Sequence, residues 1–93
     1  MPSVTLKGYI IVPDSDLVAV TRGLEDHIRL TRQEEGCMVF NVAKDHEHKN
    51  RFTVYEEFCS QDAFELHQHR VASSDWGKIT ANVERHYQKG GKS

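Results

Sequence analysis

His67 and Glu56 are the two side chains of this sequence whose spacing best suits proton transfer. His67 follows Phe64 by three residues and precedes Val71 by four. On a helix the three share a face, and the imidazole points inward. Burial disfavours the charged imidazolium, leaving a neutral base near physiological pH that can take a proton from a phenol-like molecule. The same pattern also fits a core histidine satisfied by a backbone carbonyl or by Glu56. Glu56 alternates with Phe52, Val54 and Phe58 along one strand face, and glutamate is rarely buried without a partner. It orients His67 and raises its basicity, acts as a base itself, or makes a structural pair within the chain or across a dimer. Asn41, a short amide in an apolar strand, offers a hydrogen bond to a substrate oxygen, or else satisfies a turn or an interface. Phe40, Phe64 and Trp76 supply flat apolar surface for an aromatic pocket, Trp76 adding one N–H donor, and ordinary core packing accounts for them equally.

The six histidines do not add up to a metal site. His67 and His69 are two apart, so on a helix they point about 200° away from each other. His46 and His48 sit in a charged loop without a third ligand, and His27 and His86 are isolated in sequence. Zinc needs three or four convergent ligands, so no metal is expected. The two cysteines, Cys37 and Cys59, are too few for a disulfide framework and read as reduced thiols. If paired residue numbers across the central hairpin sum to about 96, the two face each other. They are then a pair of quiet, semi-buried thiols, with redox sensing as the alternative.

The elements that must position these groups follow from periodicity. Val4 to Val12 alternates as a strand, with Val4, Leu6, Gly8, Ile10 and Val12 in one row and Thr5, Lys7, Tyr9 and Ile11 in the other. Pro13-Asp14-Ser15-Asp16 supplies a turn and a choice of N-caps. Leu17, Val20, Thr21, Leu24, Ile28 and Thr31 then recur at helical spacing, predicting a helix near 15–34 that Gly36 ends. Gly23 inside it suggests close backbone packing. Cys37 to Lys44 is a second strand with Met38, Phe40 and Val42 on one face. A polar hairpin loop at 45–50 leads to a third strand, Arg51 to Phe58. Ser60 caps a helix whose inward positions are Ala63, Phe64, His67 and Val71. Ser73-Ser74-Asp75 interrupts it before a segment with Trp76, Ile79, Thr80 and Val83 on one side. Glu84 to Lys89 is a short edge strand, and residues 90–93 a frayed tail.

The order β-α-β-β-α-β is the ferredoxin-like arrangement, an α+β fold with an antiparallel sheet. At 93 residues it is a single domain, 1–93, with an ordered core over 4–89. The second sheet face is also partly apolar (Tyr9, Ile11, Val39, Ala43, Tyr55), where a wet face would be polar. A domain this small buries only about 60–65% of its unfolded surface, so a homodimer packed through the sheet faces is expected. A net charge of −2, with 12 basic and 14 acidic residues interspersed, argues against a nucleic-acid partner. No apolar run approaches the roughly 18 residues of a bilayer span. The first residues have neither a basic nor an apolar targeting segment, so a cytoplasmic location is expected.

With that order in place, Glu35-Gly36-Cys37-Met38-Val39-Phe40 resembles the E-x-G-C-x-x-[YF] approach to the second strand in the antibiotic biosynthesis monooxygenase (ABM) family. Val54-Tyr55-Glu56-Glu57-Phe58-Cys59-Ser60, followed by Ala63-Phe64-Glu65-Leu66-His67, resembles its strand-to-helix passage. The likeness covers nearly the whole chain in length and order, and residues 34–67 in motif. It implies a dimeric α+β barrel and, among known activities, oxidation of aromatic quinols or anthrones without metal or flavin. Other branches degrade haem or handle a phosphorylated signalling sugar. Many members carry a second His about five residues beyond the first, where this chain has Ala72. The haem-degrading branch places Trp where His67 stands, which disfavours that activity.

Dioxygen reacts slowly with closed-shell molecules, so an oxygenase without a cofactor needs a substrate that donates an electron once deprotonated. The leading expectation is such a monooxygenase, with a small aromatic molecule as partner and no cofactor. His67 and Glu56 would be its catalytic groups, and Asn41, Phe40, Phe64 and Trp76 its substrate contacts. A ligand-binding dimer without turnover, and an isomerase of a small sugar-like metabolite, are the alternatives.

Overall fold

The computed structural model describes residues 3–92. Its elements are β1 (Ser3–Ile11), a 3₁₀ turn (Asp14–Asp16), α1 (Leu17–Arg32), β2 (Cys37–Lys44), β3 (Arg51–Phe58), α2 (Gln61–Ala72), α3 (Asp75–Ile79) and β4 (Glu84–Lys92). The four strands form one sheet in the order β2-β3-β1-β4, each antiparallel to its neighbour. This is the ferredoxin-like arrangement expected. The sheet of the single chain is open, with β2 and β4 as its edges, so it is not by itself a closed barrel.

Strand alternation sorts the side chains. Val4, Leu6, Ile10 and Val12 of the β1 row are buried, as are Phe52, Val54, Glu56 and Phe58 of β3. The core falls into two clusters. One joins Ile10, Val12, Phe52 and Val54 to Val20 of α1 and Val83, with Trp76 and Ile79 packed against them. The other joins Val4, Leu6 and Phe58 to Phe64 of α2. Each large side chain buried in this way contributes roughly 1.5–3 kcal/mol. Glu56 sits between Val54 and Phe58 in sequence, where the two clusters meet.

Several local expectations hold. The Ser60 hydroxyl caps α2 by accepting from the Ala63 amide (3.1 Å), and Ser74 caps α3 through the Gly77 amide (3.2 Å). Gly23 lets α3 come close: a Cβ there would lie 3.2 Å from the Ile79 side chain and 3.5 Å from the Trp76 ring.

Others need correction. The helix begins at Leu17, and neither Pro13 nor Asp16 makes a side-chain cap. Asp14 instead accepts from the Asn50 side chain (2.8 Å), tying the hairpin loop to the turn. Thr21 is exposed. Residues 90–92, expected to fray, continue β4 and pair with the start of β1, Ser3 opposite Lys92; position 93 lies outside the described residues. The backbone ladder to β1 runs through this end.

The hairpin pairs residues summing to 96, such as Phe40 with Glu56, only as far as Val39 with Glu57. A bulge at Met38 then places Cys37 opposite Phe58. Cys37 therefore turns toward the Phe58 cluster, Met38 is 58% exposed, and the cysteines are not cross-strand partners. A bulge inserts one residue on one strand and reverses which face the following side chains take. Both cysteines are free.

Gly36 holds the turn after α1 at φ +91°, and a Cβ there would meet the Ala63 side chain at 2.6 Å. Gly36→Ala is expected to cost about 1–3 kcal/mol of stability, through positive φ and this clash together. Urea denaturation measures it; an unchanged midpoint contradicts the assignment.

Candidate functional site

Glu56 is placed by the register: Leu6 of β1 and Phe40 of β2 are its neighbours across the ladder. Its carboxyl is buried, and Oε1 has no hydrogen-bond partner. Burial first, then the negative charge of Glu34, raises its pKa to about 7, so the group exchanges its proton near neutrality.

His67, from α2, faces it. The ring is 4% exposed and packs against Phe58 (centroids 4.9 Å apart) and Phe40 (5.9 Å). Nε2 lies 3.8 Å from Glu56 Oε1, beyond the roughly 3.2 Å of a good hydrogen bond. Nδ1 lies 2.7 Å from Glu34 Oε1. Burial lowers the His67 pKa, while the hydrogen bond and charge of Glu34 work in the opposite direction. Burial pushes the Glu34 carboxyl up, but hydrogen bonds from Arg70 and His67 outweigh it and hold the group below its usual range. Glu34 is therefore an anion, His67 donates to it through Nδ1–H, and Nε2 is left as the acceptor turned toward Glu56.

Arg70 secures this pairing. Its Nη2 donates to Glu34 Oε1 (3.2 Å) and to Thr31 Oγ1 (3.1 Å), and its Nε is 3.1 Å from Glu34 Oε2. His67 and Arg70 are three residues apart on α2, whereas Thr31 lies in the last turn of α1 and Glu34 in the turn that follows it. The two helices are thus tied by one carboxylate. It also helps hold the Cys37 thiol protonated: burial comes first, then the charges of Glu34 and Glu56.

A small cavity of about 30 Å³ lies beside Glu56, bounded also by Phe40, His27, Trp76 and Tyr87. That is room for one or two water molecules. His27 is 6% exposed, and its Nδ1 is unpartnered. Its ring stacks on Trp76 with centroids 4.5 Å apart and planes 6° from parallel. Burial, followed by repulsion from the His67 ring when that is protonated and from the Arg70 charge, lowers its pKa to about 3, so it is neutral. Burial and the nearby Glu56 charge push the Tyr87 hydroxyl up to about 12, making it a neutral phenol.

Of the six site residues expected from sequence, the structure brings Glu56, Phe40 and Trp76 to the cavity wall. His67 stands behind Glu56 rather than in that wall. Asn41 is exposed on the opposite face and accepts from Arg32 (3.1 Å), because it alternates with the buried Phe40. Phe64 packs on Phe58 in the second cluster, away from the cavity. His27, Glu34, Arg70 and Tyr87 were not singled out. His27 had a signal, standing seven residues after Val20 and four before Thr31, both fully buried. Among the described residues no cluster of three or more metal-ligating side chains occurs, and no helix is long and apolar enough to cross a membrane.

The antibiotic biosynthesis monooxygenase profile matches residues 6–78, a span that contains every member of the Glu34–Arg70–His67–Glu56 group. This chain belongs to the ABM family. Its fold recurs in solved structures of low identity. A conserved protein of unknown function from Bacteroides thetaiotaomicron has a TM-score of 0.81 at 14% identity, covering 96% of each chain. A Nitrosomonas europaea protein, named as a proposed antibiotic biosynthesis monooxygenase, has a TM-score of 0.78 at 17% identity, covering 99% of this chain and 88% of its own. A structure named antibiotic biosynthesis monooxygenase scores 0.71 at 16% identity, over 100% of this chain and 97% of that one. No curated protein matches the sequence significantly.

In this ABM chain the neutral His27 makes stability depend on acid. Its folded pKa lies below the unfolded value of 6.5, so the stability is present above about pH 6.5 and is lost as pH falls toward 3. His27→Phe keeps a ring against Trp76 and removes the titration. We expect wild type to lose about 1–2 kcal/mol more than this variant between pH 7 and pH 5, allowing for solvent screening. Denaturation at the two pH values measures it; parallel losses contradict it.

Proposed function

We propose that this ABM protein is a monooxygenase that oxidises a small aromatic quinol- or anthrone-like substrate with O₂ and needs no resident cofactor. The observation that carries the reading is the unpartnered Glu56 carboxyl, titrating near 7 beside an aromatic-walled cavity and backed by a neutral His67. A base with that pKa is matched to working pH. Glu56 takes the proton of the bound acid, and His67 Nε2 is the next acceptor. Glu34 holds the ring in that tautomer and stabilises the imidazolium, as a carboxylate does behind a catalytic histidine.

For an anthrone-type methylene, loss of one proton gives a carbanion. It passes one electron to O₂, and the radical pair joins through a new C–O bond. Return of the proton gives a hydroperoxide, and loss of water leaves the carbonyl: CH₂ + O₂ gives C=O + H₂O. The substrate supplies the electrons, while the protein supplies the base and a dry aromatic surround.

The working unit is a homodimer packed through the outer sheet faces. Half-buried Tyr9, Ile11 and Val39, with the exposed Tyr55 and Met38, give that face more apolar surface than a wet sheet needs. A second reading, a dimer that binds a small ligand without turnover, draws on the narrowness of the cavity.

Oxygen uptake with a quinol and anthrone panel tests the catalytic reading. Wild type is expected to show kcat/KM rising with pH through about 7 and then levelling, as Glu56 becomes the free base. Glu56→Gln should lose about 10²-fold or more, the usual scale of general-base catalysis. An equal rate in Glu56→Gln removes Glu56 as the base, and a ligand recovered unchanged under air favours the second reading. Sedimentation equilibrium is expected to give twice the chain mass; a monomer at micromolar concentration removes the dimer.

A further inference from the structure

The cavity beside Glu56 shares a wall with a larger space. A groove of about 500 Å³ runs between α1 and the α2–α3 junction, lined by Gly23, Leu30, Arg70 and Ile79 together with His27 and Trp76. His27 and Trp76 also line the cavity. Their parallel stack is therefore the partition between the two. The imidazole is more than nine-tenths buried with Nδ1 unpartnered. The indole rides on the five-residue α3, directly after the Ser73-Ser74 break, and packs on the backbone of α1 at Gly23, where a Cβ would lie 3.5 Å from the ring. The cavity, at about 30 Å³, is far below the roughly 150 Å³ of a void that takes benzene. No aromatic ring reaches Glu56 unless a wall moves.

We propose that Trp76 is the gate of this site: a planar aromatic ligand enters through the α1–α3 groove and occupies the place the indole vacates, its ring stacked on His27 and its hydroxyl edge toward Glu56. The inference rests on reading the Glu56 cavity as the substrate site. The stack in the closed state supplies the template for the ligand, which has the flat shape and π-faces of the ring it replaces. The ligand is uncharged on arrival, because the groove's arginines are already engaged, Arg29 by Asp26 (3.0 Å) and Arg70 by Glu34 (3.1 Å). Opening the gate reduces apparent affinity by the fraction of molecules that are open.

Trp76 is the single tryptophan of the chain, so its emission reports the gate directly. The probe is 4-methylphenol, its binding followed by saturation-transfer NMR and Trp76 accessibility by acrylamide quenching. In wild type the quenching constant is expected to at least double as the phenol saturates the protein. Trp76→Ala should bind the phenol several-fold more tightly, having no gate to open. Binding to wild type with unchanged quenching overturns the gate and leaves the reading of the cavity intact. Absence of binding to both proteins overturns that reading and the gate with it.

Discussion

Glu56 occupies a position that apolar side chains claim everywhere around it: Val54 and Phe58 in its own strand, Leu6 and Phe40 across the ladder. A carboxylate there is costly to ionise, since burial penalises charge far more than polarity. Facing it across the sheet–helix interface is a histidine whose own charged form burial also disfavours. Burial thus works against charge on both groups, which face each other at 3.8 Å. That constraint organises the site. It requires a helix to deliver the imidazole, an anion to set its tautomer, and a cation to keep that anion ionised.

The supporting shell meets those requirements with residues that also hold the fold together. Thr31 and Glu34 close the end of α1, and His67 and Arg70 share one side of α2. The contacts that orient the imidazole are thus the ones that fasten the two helices to each other. Glu34 both orients His67 and ties α1 to α2. Beyond it, two stacked rings, His27 on the long α1 and Trp76 on the short α3, stand between the cavity and the groove along α1.

Legibility followed periodicity. The inward row of β3 announced Glu56, and the Phe64–His67–Val71 spacing announced His67, because both patterns are local and survive any tertiary arrangement. Phe40 and Trp76 were legible for the same reason. Asn41 and Phe64 do not line the Glu56 cavity. Residue type suggested a role for each, but alternation turns Asn41 outward, and the offset between the two core clusters takes Phe64 away from the cavity. The bulge at Met38 left no signature in the pattern of the second strand, and it undid the cross-strand pairing of the cysteines. The glycine-rich end looked like a tail because Gly90 and Gly91 break any alternation, yet residues 90–92 pair with β1 in the sheet.

The chain's own order of residues determined the element sequence, the faces of each strand and the inward aim of His67, all set by spacings of two or of three to four residues. Its motifs also carried the resemblance to the ABM family that the profile match bears out. Folding decided the rest. It decided that Glu34, thirty-three residues before His67, meets it at hydrogen-bond distance, that His27 stacks on Trp76, and that the space beside Glu56 is narrow. Such contacts join segments whose local patterns are independent, and only the packing of helices on the sheet brings them within reach.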